Sequence, residues 1–293
     1  GSLGCLILGI ILFPVFIISM EKVYPIMKGS IGYILSLIMI FMIGKDKGKR
    51  LKSLTLFLLA GCLGLLVFNT PNMSQPLFPM LSGLFGFSIL LTSLLQKSSV
   101  PEQDFNKPLT ISKKNVVKSV SAASGVGFIA AFLPGFGSSQ AAIVATNIVG
   151  DVGDEGFLSL VGGINTANML ISIATAFVLH KARNGAIVTV QKLMGIVGFR
   201  EMLLFLGVAL VVGGIAAFLA LKISKVFARF MVRVNYNVIT YSILGFITVL
   251  TFFFDGFIGL IVLFTATSIG LVASFWKIGK NHLMGCLILP VIL

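Results

Sequence analysis

Residues 133–140 read Leu-Pro-Gly-Phe-Gly-Ser-Ser-Gln, and they cut through an otherwise apolar run extending from 117 to 150. That run is too long for one simple span, because about 20 apolar residues cross the hydrocarbon core of a bilayer. Proline lacks an N–H and disfavours helix in the residue before it, so Pro134 ends a first half-helix. Gly135 and Gly137 permit irregular backbone and close approach of a ligand. Ser138 or Ser139 is expected to cap a second half-helix, followed by Gln140 and the run from Ala141 to Val149. The free N–H groups of that half-helix point into the bilayer, and such a positive end suits an anion. Irregular backbone at membrane depth survives only when buried in protein or lining a cavity.

The rest of the chain agrees with a membrane setting. Of 293 residues, 57% are hydrophobic and only 11% charged, against about 25% charged in soluble domains. Mean hydropathy is +1.07. Further apolar runs occupy 3–20, 31–44, 54–69, 77–95, 157–180, 185–198, 202–221, 238–254, 257–275 and 282–293. They are continuous rather than alternating, which excludes a transmembrane β-barrel. The expected fold is an all-α polytopic integral membrane protein with discontinuous transmembrane helices, multi-pass in the cell membrane.

A net charge of +13 would suggest nucleic acid in a soluble protein. Here sixteen of the 22 Lys and Arg fall between apolar runs, in segments 45–52, 97–118, 222–233 and 277–280. Cytoplasmic loops of membrane proteins collect positive charge in this way. Loops 44–53, 96–118, 222–237 and 276–281 are therefore expected in the cytoplasm, with 70–76 and Asp255 on the other side. The partner is the lipid bilayer, not nucleic acid.

A second polar interruption follows the first. Gly162-Gly163-Ile164-Asn165-Thr166-Ala167-Asn168 sits near the centre of the 157–180 run. Two Asn and a Thr in mid-membrane are costly unless they hydrogen-bond across helices or bind something. Read as a second break, the segment offers Gly163, Asn165, Thr166, Asn168 and nearby freed carbonyls to substrate or to a coupling cation. Sodium is favoured over a proton, because no carboxylate lies in the middle of an apolar run. The competing reading of both motifs is a glycine hinge whose polar residues join helices.

The polar stretch from Gln96 to Lys118 divides the chain into two related blocks. Each ends with four apolar runs in series, and each third run carries a Gly-Leu pair, Gly64-Leu65 and Gly270-Leu271. Residues 3–12, LGCLILGIIL, also resemble residues 284–293, MGCLILPVIL. Basic loops follow the second and fourth runs of the first series but the first and third of the second. The two series thus take opposite orientations, the pattern of an inverted-topology repeat. The expected organisation is a first repeat over 1–95, a cytoplasmic linker over 96–116 and a second repeat over 117–293. About 85 residues precede the second series and have no counterpart in the first, so the first repeat reads as N-terminally incomplete.

PGFGSSQAA at Pro134 to Ala142, followed by GGINTAN at Gly162 to Asn168, resembles the large membrane subunit of tripartite tricarboxylate transporters. The closer likeness is to archaeal, DUF112-type members, whose C-terminal sequence HLMGCLILPVIL resembles. Members are longer and carry an equivalent Pro-Gly motif in the first repeat. The bacterial permeases tend to have further glycines where Ser138 and Ser139 stand. The resemblance implies cation-coupled uptake of di- or tricarboxylates, with a small membrane subunit and an extracytoplasmic binding protein as partners. Transport of an amphiphilic lipid phosphate, or a non-transporting scaffold role, are the alternatives.

Other chemistry is thin. Cys5, Cys62 and Cys286 lie in apolar runs without paired spacing, which fits small buried hydrophobes and offers neither a disulfide framework nor a zinc site. Asp151, Asp154 and Glu155 read as a solvated turn with too few acceptors for calcium. His180, Lys181 and Arg183 read as an interfacial anchor, Arg200-Glu201 as a local ion pair, and His282 stands alone. No catalytic set, metal-ligand spacing or cofactor loop is present, so an enzyme is not expected.

Overall fold

The structure is a computed structural model that describes residues 1–46, 48–71, 73–96, 112–131, 133, 137–181 and 184–293, with backbone alone for 23, 26–28, 139 and 232–233. Every regular element among them is helical. In lipid the backbone must satisfy its own polar groups, and a helix does so within one segment. Five of the helices are long and apolar enough to cross a membrane. The protein is an all-α polytopic membrane protein.

The chain forms two compact units, residues 1–31 with 105–225, and 32–104 with 226–293. Each unit takes a segment from both sequence blocks. In the second unit lie α3 (Arg50–Phe68), α4 (Leu77–Leu95), α10 (Tyr236–Phe275) and α11 (Gly285–Ile292). At 40 residues α10 would be about 60 Å long if straight, twice the hydrocarbon thickness. It is not straight. Gly256 has φ 58 and ψ −146, a conformation open essentially to glycine alone.

Packing on α4 shows that the chain reverses there. Tyr236 Oη meets Ser93 Oγ at 2.9 Å, Leu244 clusters with Phe87, and Asp255 accepts the Gln75 N–H at 2.9 Å. Residues 236–255 thus run antiparallel to α4. Beyond the turn, a Cβ on Gly83 would lie 2.6 Å from Ala266 Cβ, and one on Gly270 2.6 Å from Ser88 Cβ. Residues 257–275 therefore run parallel to α4. The long helix is a hairpin of two spans, matching the apolar runs 238–254 and 257–275.

Close approach through glycine holds this unit together. A Cβ on Gly64 would collide with the Cys286 backbone, and one on Gly285 with the Phe57 carbonyl. Small residues allow such contact where no hydrophobic force drives helices together in lipid. The two ends of the unit differ in charge. At one, Lys49 Nζ donates to the Lys277 carbonyl at 2.9 Å, and His282 Nε2 lies 2.7 Å from Asp46 Oδ2. His282 is buried and paired, not the isolated residue expected. At the other end of α3 the 69–76 segment meets Asp255.

The first unit contains α1 (Ser2–Ile11), the start of α2 (Phe13–Lys45), α5 (Lys113–Ala130), α6 (Ser138–Val149), α7 (Gly153–Val178), α8 (Gly185–Met194) and most of α9 (Phe199–Arg233). The apolar run 3–20 is bent by 68° between α1 and residues 13–22, so it is a broken span or re-entrant pair. Leu12 and Pro14 stand at the bend, and the sequence shows no polar residue there. The run 117–150 divides as expected into α5 and α6. The run 157–180 does not: α7 is continuous through Gly162 and Gly163. The polar loop expected at 222–237 is mostly helix, because α9 continues to Arg233 and carries Lys222, Lys225 and Arg229 on its last turns. The expected linker 96–116 falls largely outside the described residues, and α5 begins inside it.

Labelling in a background lacking Cys5, Cys62 and Cys286 tests the ends of the second unit. Lys49→Cys and Lys277→Cys should react only from the cytoplasmic side, and Gln75→Cys only from the opposite side.

Candidate re-entrant anion site

Helix α5 starts at Ser112, whose hydroxyl accepts the Asn115 N–H at 3.2 Å and caps the first turn. Its register against α7 is parallel. Asn115 Nδ2 reaches the Val152 carbonyl at 3.4 Å. Further along, Cβ atoms placed on Gly156, Gly163 and Gly127 would meet Ser119 Oγ at 3.3 Å, Ala123 Cβ at 2.8 Å and Ala167 Cβ at 2.8 Å. Both helices therefore enter from one end and advance together.

Helix α6 must return between them. Its N-terminus follows the end of α5, and its C-terminus leads into α7 through Gly150 (φ 81) and Gly153 (φ 73). Asp151 Oδ1 accepts the Gly153 N–H at 2.9 Å, so the acidic cluster shapes this turn, as expected. Ala141, Ala142 and Ala145 are fully buried, which lets α6 lie close to its neighbours. Helices α5 and α6 thus form a helical hairpin.

Twelve residues make α6 about 18 Å long, and the same rise counted from Gly153 reaches about residue 165 of α7.

The cap of α6 differs from expectation. The N-cap is Gly137 (φ −81, ψ 169), with no side chain to offer. Neither Ser138 nor Ser139 caps the helix; both lie in its first turn. Gln140, 1% exposed, instead reaches back so that its Oε1 accepts the Gly137 N–H at 2.9 Å. This is one half of a capping box, and the half that would cover the first-turn N–H groups is missing. Positive backbone is left facing away from α6. Pro134, Gly135 and the Ser139 side chain lie outside the described residues, as does Arg183.

The GGINTAN segment sorts onto different faces of α7. Gly163 packs against Cys5, since a Cβ there would overlap Cys5 Sγ. Because α7 is unbroken, it frees no carbonyls; Thr166 Oγ1 donates to the Gly162 carbonyl at 3.1 Å. Thr166 also borders a cavity of about 690 Å³ lined by Leu6, Gly213, Ala217 and Ser224. Asn165 is exposed and Asn168 half-buried, and neither forms a hydrogen bond among the described residues. These two remain available. His180 adopts φ 52, and its carbonyl accepts from Gln191 Nε2 at 2.8 Å. Arg200 and Glu201 do not pair with each other among the described residues.

A re-entrant hairpin whose half-helix terminus lies at depth is an arrangement of secondary transporters, where such ends face anionic substrate groups. The model of one family, the tripartite tricarboxylate transporter TctA family, matches residues 1–285. The chain belongs to this family. It is a membrane component of the tricarboxylate transporter class, a transporter family and not an enzyme family, and is multi-pass in the cell membrane. No curated protein and no solved structure matches it.

The packing role of Gly163 is directly testable. Gly163→Ala should lower stability by about 1–3 kcal/mol, as overpacking does. Combining it with Cys5→Ala should recover part of that loss, seen as non-additive unfolding temperatures. Asn165→Ala should leave the unfolding temperature unchanged.

Proposed function

We propose that the chain is the permease subunit for small organic anions, di- or tricarboxylates, taken up with sodium. The observation that supports this reading is the N-terminus of α6, where the N-cap Gly137 offers no side chain to the first-turn N–H groups. Carboxylates are multivalent acceptors, and first-turn N–H groups at a half-helix end bind them without placing a fixed cation in the membrane. Gly137 to Gln140 and the preceding Pro134-Gly135 form the anion side. Asn165 and Asn168 supply amide oxygens suited to a hard cation, with Thr166 beside them. Family membership supports a small membrane subunit and an extracytoplasmic binding protein as partners.

An inverted repeat over 1–95 and 117–293 belongs to the same proposal. One pair of matched residues supports it: Gly64 and Gly270, of the two Gly-Leu pairs in the third runs, are both helix-contact glycines. The amphiphile alternative draws on the apolar cavity beside Thr166. That cavity lies among α1 and α9 rather than at the α6 terminus, so it offers the headgroup no helix end.

Binding of citrate to the purified protein, with and without sodium, tests the reading. Ser138→Ala should weaken citrate binding only slightly, by less than about 1.4 kcal/mol or tenfold, because the backbone provides the affinity. Gly137→Val should abolish it, since a β-branched side chain crowds the terminus. Asn165→Ala should chiefly reduce the sodium dependence. Full citrate binding by Gly137→Val would leave the break a packing hinge.

A further inference from the structure

At the reversal of α10 two buried oxygens lack partners. Thr251 is fully buried, and its Oγ1 has no hydrogen-bond partner among the described residues. Asp255 is 7% exposed; its Oδ1 accepts the Gln75 N–H at 2.9 Å, while its Oδ2 has no partner among the described residues. A buried carboxylate oxygen left unpaired is among the costliest arrangements a fold can hold. Two such oxygens one turn apart on a single helix face call for a ligand.

Their neighbourhood is shaped alike. A Cβ on Gly259 would lie 2.7 Å from Asp255 Cβ and 3.1 Å from both the Thr251 carbonyl and Thr251 Cγ2. The second half of the hairpin thus passes the two side chains with a residue that adds no bulk. The first span ends here, and the last carbonyls of a helix carry its negative dipole end. The positive N-terminal end of residues 257–275 opposes them, but no Lys or Arg pairs with Asp255 among the described residues. All the donors are oxygen, which suits a hard cation and not a soft one.

We propose that Asp255 Oδ2, Thr251 Oγ1 and last-turn carbonyls of residues 236–255 bind a sodium ion. The carboxylate neutralises the ion, and the ion in turn satisfies both orphaned oxygens. The site lies in the second unit and is separate from the Asn165 and Asn168 amides. It is read without any organic anion, so it stands or falls independently of the citrate result.

The test is binding of radioactive sodium to the purified full chain in detergent, with choline replacing sodium as control and no carboxylate substrate present. The wild type should show saturable binding and a melting temperature that rises with sodium but not with choline. Asp255→Asn keeps the acceptor for the Gln75 N–H but loses the charge, and should weaken sodium binding by at least about tenfold. Thr251→Val keeps the shape and should weaken it severalfold. Equal melting temperatures of the variants and the wild type in choline show that the fold is intact; if Asp255→Asn does not fold, Thr251→Val decides. Absence of saturable sodium binding in the wild type, unchanged binding in the variants, or a carboxyl that takes up a proton in place of sodium would each overturn the proposal.

Discussion

The bilayer's refusal to solvate backbone governs this protein. A peptide group at membrane depth must find its partner within the chain, so helices run uninterrupted unless a break is covered or used. Between α5 and α6 the chain departs from that rule within the apolar run 117–150, and α6 restarts on Gly137. Gln140 takes up one N–H, that of Gly137, and among the described residues no side chain caps the rest of the first turn. Everything proposed for transport depends on this local shortage of acceptors. An anion that supplied them would be bound by the same physics that makes the break expensive.

Glycine makes such breaks compatible with tight packing. In α10, Gly256 turns the chain back, whereas Gly163 and Gly64 lie in unbroken helix and admit a neighbour at contact distance. The same residue type thus breaks one helix and cements another. What distinguishes the cases is the neighbour: Gly163 has Cys5 and Ala123 against it, while nothing lies within 4 Å of a Cβ on Gly256.

That distinction also explains what the sequence shows and what it hides. The hairpin of α5 and α6 is legible because Pro134 stands together with Gly135 and Gly137, whereas Pro25 and Pro290 lie inside helices, and the turn at Gly256 because Asp-Gly separates two runs each long enough to span. The continuity of α7 is not legible: Gly162-Gly163 looks like a hinge until Cys5, more than 150 residues earlier, is known to lie against it. The bend at Leu12 is hidden by apolar residues on both sides. The overrun of α9 past its apolar part reflects Lys and Arg, which are good helix formers whatever their polarity. For the site, depth comes from counting residues along α6, but the cap does not. Serine is the common choice, and only the geometry shows Gly137 in that place and Gln140 folding back. The Asp46–His282 pair and the unpartnered Asp255 Oδ2 are long-range outcomes of packing that no local pattern announces.

The central claim is that the N-terminus of α6 lies deep in the membrane yet in a polar setting. A spin label on Ser138→Cys, in protein free of other cysteines and reconstituted in bilayers, measures this through its accessibility to oxygen and to a water-soluble nickel complex. A label on Ile148, near the other end of α6, gives the reference at the hairpin's open end. The account predicts that the Ser138 position lies about 15 Å further along the membrane normal than Ile148, and that the nickel complex still reaches it until citrate is added. A label at the same depth as Ile148, or one reached by oxygen alone and indifferent to citrate, would contradict it.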